Sequence, residues 1–67
     1  MGPEQTAVQT LMTPHEVAER LRIEPDTLKK WRSALIGPRF IRVGRSVRYA
    51  PEDLTDWMEQ QRVDLPD

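Results

Sequence analysis

The sequence contains no cysteine, and this absence excludes disulfide bonds, cysteine-ligated zinc and a thiol nucleophile. It is also typical of a cytoplasmic protein. Long apolar runs are missing as well: none exceeds three residues, so we expect neither a membrane span nor a secretory signal. The 67 residues have room for one small domain and none for a deep substrate pocket.

Residues suited to catalysis or metal binding are scarce too. His15 is the only histidine and has no second histidine or cysteine nearby, which argues against a metal site. No glycine-rich phosphate loop and no set of nucleophile, base and acid can be assembled. The acidic pairs Glu52/Asp53 and Asp56/Glu59 fall on the exposed face of a predicted helix. We therefore predict a protein that is not an enzyme and uses no cofactor.

What the chain does have is a strong segregation of charge. Nine of its ten cationic residues lie between Arg20 and Arg48, where Glu24 and Asp26 are the only acids, so this positive segment has a formal charge of +7. The rest carries nine acids and one cation, Arg62, and sums to −8. Such a separation creates a local positive field, and we expect its partner to be double-stranded DNA. The low pI of about 5.8 predicts modest, salt-sensitive non-specific affinity.

A helix start is encoded by Thr13, Pro14 and Glu16. Threonine caps, proline suits the first helical position, and glutamate completes a capping box. Apolar residues then recur at helical spacing, which predicts a first helix over about residues 14–22. The apolar positions are Val17, Ala18 and Leu21.

A second helix follows after a turn of two or three residues. Pro25 begins it, although Glu24 is a poor N-cap, and Gly37–Pro38 ends it. One apolar stripe is expected to be buried, formed by Leu28, Trp31 and Leu35. Two short helices joined by a tight turn predict a helix-turn-helix.

Between Phe40 and Tyr49 the apolar period changes to two around Gly44, which predicts a β-hairpin. Two registers are possible. A two-residue turn, Gly44–Arg45, suits type II′ chemistry. A three-residue loop is the one that we favour, because it keeps arginines out of a small core. It places Ile41, Val43, Val47 and Tyr49 on one face and Arg42 and Arg48 on the other.

A third helix is predicted from Pro51, with Glu52 and Asp53 in its first turn, where acids are favourable to the helix dipole. Its buried stripe is expected to contain Leu54, Trp57 and Met58. The predicted fold class is α+β, mostly α: a winged helix-turn-helix with a hairpin wing and a third helix. We expect a flexible tail at residues 1–10, the domain at 11–61 and an acidic tail at 62–67.

The second helix should present a polar face opposite its apolar stripe. In a helix-turn-helix this helix enters the major groove, where lysine donates to guanine and aspartate accepts from cytosine. The alternative is that this charged face is merely solvated. The second helix follows a capped helix and precedes a basic hairpin, however, and this order favours a DNA-binding face. The candidate residues are Asp26, Lys29, Lys30 and Ser33, with Thr27 at the edge of the face.

The hairpin segment is rich in arginine and free of acids. Arginine on a narrow hairpin suits the negative potential of a minor groove. Charges on edge strands also prevent edge-to-edge pairing, although lysine or glutamate would serve that purpose equally. The candidate wing residues are Arg39, Arg42, Arg45 and Arg48. Periodicity places Trp31, Tyr49 and Trp57 on buried faces, and the position of Phe40 depends on the hairpin register. We therefore expect core packing of the aromatic residues and not a base-stacking platform.

The order of several short motifs resembles the excisionase family, small winged helix-turn-helix proteins related to MerR-type DNA-binding domains. The motifs are Leu11–Ala18 (LMTPHEVA), Thr27–Arg32 (TLKKWR), Phe40–Arg45 (FIRVGR), Val47–Tyr49 (VRY), and Asp53, Leu54 and Trp57. The resemblance covers residues 11–58 and implies a recognition helix in the major groove and a wing in a neighbouring minor groove. It assigns Asp26, Thr27, Lys30 and Ser33 to the helix, and Arg42, Arg45 and Arg48 to the wing.

The resemblance also implies an occupation. Excisionases bend attachment-site DNA and direct a tyrosine integrase towards excision, whereas close relatives are small transcriptional regulators. A protein-interaction adaptor, in which the acidic third helix and tail bind a basic partner, is a further alternative. We also expect head-to-tail self-association on DNA, between the positive segment of one protomer and acids of the next. Those acids are Glu52, Asp56, Glu59 and Asp64.

Overall fold

The computed structural model describes residues 10–66, which form three helices and one antiparallel hairpin. The elements are α1 (Pro14–Leu21), α2 (Pro25–Ala34), β1 (Ile41–Val43), β2 (Ser46–Arg48) and α3 (Pro51–Gln60). This small α+β arrangement confirms the predicted winged helix-turn-helix class. The predicted N-terminal tail, apart from Thr10, lies outside the described residues.

The first helix begins as its capping signals predict. The Thr13 hydroxyl accepts a hydrogen bond from the Glu16 amide at 3.1 Å, and the Glu16 carboxylate accepts one from the Thr13 amide at 2.8 Å. These two bonds complete a capping box, which satisfies two amides that the helix itself leaves unpaired. The helix ends at Leu21, one residue earlier than expected.

Helix α2 begins at Pro25, and the doubt about Glu24 is confirmed: among the described residues its side chain makes no capping hydrogen bond. The far end of the helix differs from the prediction. Leu35 does not continue the buried stripe; it follows the last helical residue, Ala34, in the left-handed region at φ 59°, and its side chain is 82% exposed. The chain turns away from the helix axis there, so the position seven residues after Leu28 no longer faces the core.

The hairpin has the two-residue turn, so the favoured three-residue loop is wrong. Ile41 pairs with Arg48 and Val43 with Ser46, which leaves Gly44–Arg45 as the turn, with Gly44 at φ 63°. A slip of one residue moves every side chain to the other face of a hairpin. Phe40 and Tyr49 therefore lie on the core face with Arg42 and Val47, while Ile41, Val43 and Arg48 lie on the other.

This register is favoured because it places two large aromatic side chains on the core face. Tyr49 is fully buried, and its ring lies 6.3 Å from the half-buried ring of Phe40. Ile41 and Val43, which the three-residue loop would have placed on the core face, are instead 39% and 51% exposed. Arg42 shares the aromatic face without being buried, because it lies towards the tip, beyond the core, with its guanidinium 5.9 Å from the Phe40 ring centre.

A short pairing ties the start of the domain to the end of the wing. The Met12 amide donates to the Tyr49 carbonyl at 2.7 Å, and the Tyr49 amide donates to the Met12 carbonyl at 2.8 Å. This bridge, which the sequence pattern does not predict, places Tyr49 between the N-terminal segment and the helices. The base of the wing is therefore part of the core, and only its tip projects.

The core is small and collects one or two residues from each helix, together with Tyr49, which follows β2. Its fully enclosed members are Val17, Ala18, Leu28, Tyr49 and Leu54. Trp31 and Trp57 cover it as a tilted pair with ring centres 5.5 Å apart. Met58, predicted to be buried, is 41% exposed, because the stripe of α3 is narrower than expected and is completed by Leu54 and Trp57.

Candidate nucleic-acid interface

The polar face of α2 is where the sequence predicts it. Asp26, Lys29, Lys30 and Ser33 are exposed, and Thr27 is half-buried at the margin of the face. Leu28 on the opposite side is fully buried and fixes the rotation of the helix about its axis. The five candidate residues of the helix therefore lie on or beside one accessible surface.

Two of these residues form an ion pair across one turn. The ammonium of Lys30 lies 3.4 Å from a carboxylate oxygen of Asp26, and the side chains are 78% and 71% exposed. Exposed pairs at this spacing contribute only about 0.3–0.5 kcal/mol to stability. Water or a ligand can therefore displace either group at little loss to the fold.

The four candidate arginines of the wing occupy different positions around it. Arg45 lies in the exposed turn, and Arg42 lies on the aromatic face near the tip. Arg48 lies on the opposite face and is half-buried, with its guanidinium donating to the Val47 carbonyl at 2.7 Å. The wing thus has cations on both faces and at its tip. The three-residue loop would instead have placed Arg42 and Arg48 together on one face.

A residue that the sequence interpretation did not select joins the helix to the wing. Arg32, on α2, donates from its guanidinium to the Tyr49 hydroxyl at 3.1 Å. Arg32 lies four residues after Leu28, which places it at the margin of the buried stripe. This spacing was the only feature of the sequence that could have indicated a structural role for Arg32. The bond links α2 to Tyr49, the residue at the base of the wing, and so connects the two candidate surfaces.

A family model described as a helix-turn-helix domain matches residues 11–62. The chain belongs to this helix-turn-helix family. It is a family of DNA-binding domains found in excisionase-like proteins. Comparisons with curated proteins and with solved structures gave no match.

The helix-turn-helix itself comprises α1, α2 and the three residues between them. The turn is tight because Arg22 adopts the left-handed conformation at φ 59° and Ile23 folds back, its amide donating to the Ala18 carbonyl at 3.0 Å. Ile23 also packs against the core, so the turn is anchored between the two helices. The turn therefore positions the polar face of α2 outwards.

Arg39 stands apart from the other wing arginines. It lines a shallow groove of about 350 Å³ together with acids of α3, Asp53 and Asp56, and with Trp57. Both carboxylates line this groove with Arg39, but neither of the ion pairs among the described residues includes Arg39.

The described part of the helix-turn-helix protein contains no group of three or more histidine, cysteine or acidic residues placed to hold a metal ion. None of the helices within residues 10–66 has the length and apolar character needed to cross a bilayer.

Proposed function

We propose that the helix-turn-helix protein reads double-stranded DNA with α2 in the major groove and the tip of the wing in an adjacent minor groove. The observation that carries this proposal is the Arg32–Tyr49 hydrogen bond, because it connects the helix that has the polar face to the base of the cationic hairpin. The residues assigned to base edges are Asp26, Thr27, Lys30 and Ser33. Lys29, Arg42, Arg45 and Arg48 are assigned to phosphates and groove walls.

We further propose that the protein is an excisionase, which bends attachment-site DNA and directs a tyrosine integrase towards excision. Membership of a domain family found in excisionase-like proteins and the motif order across residues 11–58 support this role. A projecting arginine tip also suits bending, because cations inserted into a minor groove favour its compression and a curved duplex. Arg39, just before the hairpin, remains a candidate for the phosphate contacts of the wing.

Binding is tested by titrating labelled duplexes with the full chain at several salt concentrations. Arg45→Ala should weaken binding to all sequences alike and reduce the slope of log K against log salt by about one. Arg62→Ala is the matched control, because Arg62 pairs with Glu59 at 2.9 Å at the end of α3, away from both surfaces. A slope that falls equally in both variants would remove the wing from the interface.

The excision role is tested by selecting the preferred DNA site and mapping it. A site within an attachment region, bending of that duplex, and stimulation of excision by the cognate integrase are the expected results. A preferred site within a promoter, without any effect on excision, would instead identify a transcriptional regulator of the same fold.

A further inference from the structure

The ion pair between Asp26 and Lys30 places a hydrogen-bond acceptor and a donor side by side on the outer face of α2. Their charged atoms are 3.4 Å apart, and both side chains are largely exposed. Asp26 lies in the first turn of the helix, the part that meets base edges when a recognition helix enters the major groove. An aspartate there is not explained by backbone binding, because a carboxylate is repelled by phosphates.

The edge of a base pair in the major groove has a matching pattern. In a C·G pair the cytosine N4 donor and the guanine O6 acceptor are hydrogen-bonded to each other, so they lie about 2.9 Å apart. We propose that Asp26 and Lys30 exchange their mutual pairing for this edge and together read one C·G base pair. Asp26 accepts from cytosine N4, and Lys30 donates to guanine O6 and N7. This inference rests on the proposed function and specifies one position of the DNA site.

An A·T pair also offers a donor beside an acceptor, but its surroundings are wrong for these side chains. The adenine N6 donor is flanked by the N7 acceptor, which repels a carboxylate, and the thymine O4 acceptor is flanked by a methyl group. On the major-groove edge of cytosine no acceptor flanks N4, and guanine presents two acceptors together to the ammonium. The pair of side chains therefore distinguishes C·G from A·T as well as from the reversed G·C pair.

The first experiment changes only DNA atoms and uses the unaltered protein. Site selection from a randomised duplex library identifies the preferred C·G position. N4-methylcytosine at that position replaces the hydrogen that Asp26 would bind, and we expect affinity to fall by about 5- to 150-fold. Inosine in place of the guanine leaves the major-groove edge intact and serves as the matched control, with affinity changed less than about two-fold. Equal affinity for the methylated and unmethylated duplexes would overturn the inference.

The second experiment tests whether the two side chains read the same base pair. Asp26→Ala and Lys30→Met should each abolish preference at this one position, and neither should respond to N4-methylation there. Lys29→Met removes the same charge from the neighbouring residue, and it should weaken all duplexes alike while preserving the preference. Because base pairs are stacked about 3.4 Å apart, two adjacent positions are the competing arrangement.

Relaxation of one position by Asp26→Ala and of a different position by Lys30→Met would overturn the single-pair reading. Uniform weakening by both variants would overturn base reading altogether, while leaving DNA binding in place. Failure of the unaltered chain to bind any duplex at low salt would remove the proposed function, and this inference with it.

Discussion

Tyr49 takes part both in the packing of the core and in the link between the two candidate DNA-binding surfaces. Its ring is fully buried beside Phe40, its backbone pairs with Met12, and its hydroxyl accepts from Arg32. A buried phenol needs such a partner, because an unsatisfied hydroxyl destabilises the folded state. The same hydrogen bond links β2 to α2. One side chain thus supplies apolar area to the core and a link between the two candidate DNA-binding surfaces.

Tyr49→Phe separates these two contributions. The ring stays in the core, so we expect the free energy of unfolding to fall by only about 0.5–1.5 kcal/mol, the usual net value of a hydrogen bond. DNA affinity should fall more than this loss of folded protein explains, because the wing is no longer held to α2. Urea denaturation followed by tryptophan fluorescence measures the first effect, and duplex titration at a temperature where both proteins are folded measures the second. Unchanged DNA affinity would show that the bond does not align the interface.

Gly37 is the second residue whose identity is determined by geometry. Its φ is +84°, and a Cβ built there would lie 2.8 Å from the Trp31 ring. Gly37→Ala therefore combines backbone strain with overpacking, and we expect a loss of about 1–3 kcal/mol in the free energy of unfolding. Ile36→Ala is the control, because Ile36 is 56% exposed and its truncation should change stability by less than about 0.5 kcal/mol. Equal denaturation midpoints for the two variants would contradict this account.

At the scale of elements, α1 and α2 end in the same way. In each, the residue after the helix adopts a left-handed conformation, and the next amide reaches back across the last turn: Ile23 to Ala18 at 3.0 Å, and Ile36 to Trp31 at 2.9 Å. This is the Schellman arrangement, which glycine normally completes. Here the left-handed residues are Arg22 and Leu35, so each helix ends with a strained side-chain-bearing residue.

Leu35→Gly should relieve one of these strained ends. The side chain is 82% exposed, so little burial is lost, and we expect stability to rise by about 0.5–1 kcal/mol, or roughly 4 °C in Tm. Lys29→Gly, within the exposed part of the same helix, is the control and should lower stability by a similar amount, because glycine is unfavourable in helix interiors. A fall in Tm for both variants would indicate that Leu35 contributes through its side chain.

These helix ends explain which elements could be predicted from the sequence. The helix starts were predictable, because Thr13, Pro25 and Pro51 act through local chemistry that is visible in the sequence. The end of α2 was not, because a leucine in the left-handed conformation carries no local signal, and Gly37 lies two residues too late. The hairpin register depended on the packing of Phe40 beside Tyr49 and on the pairing of Tyr49 with Met12, a contact between distant parts of the chain. The exposed face of α2 was predictable from periodicity alone. The hydrogen bond from Arg32 to Tyr49 was not, because it joins residues that only the tertiary structure brings together.

For the whole molecule, the arrangement of charge limits how it can act on DNA. A single small domain buries about 600–1,000 Å² on DNA, and this chain has a formal charge of −1, so one protomer should bind weakly. The acids are not spread evenly: Glu52, Asp56 and Glu59 lie on α3, and Asp64 lies in the exposed segment that follows. We propose that this acidic surface of one protomer meets the cationic segment of the next. Such a contact is head-to-tail, and it produces an open array on the duplex and not a closed dimer.

This array predicts a monomer in free solution and cooperative binding to repeated direct sites. Sedimentation of the free protein, followed by titration of duplexes with one, two or three copies of the selected site, measures both properties. Asp56→Lys should abolish cooperativity while leaving binding to a single site within about two-fold, because Asp56 is exposed on α3, outside the surfaces assigned to DNA. Thr55→Lys adds a cation at the neighbouring exposed position without removing an acid, and it should retain more of the cooperativity. A stable dimer without DNA, or independent filling of the three sites, would rule out the array and favour a dimeric repressor. In a dimeric repressor the protein contacts form before DNA is bound, whereas in the array they form only after the duplex has aligned the protomers.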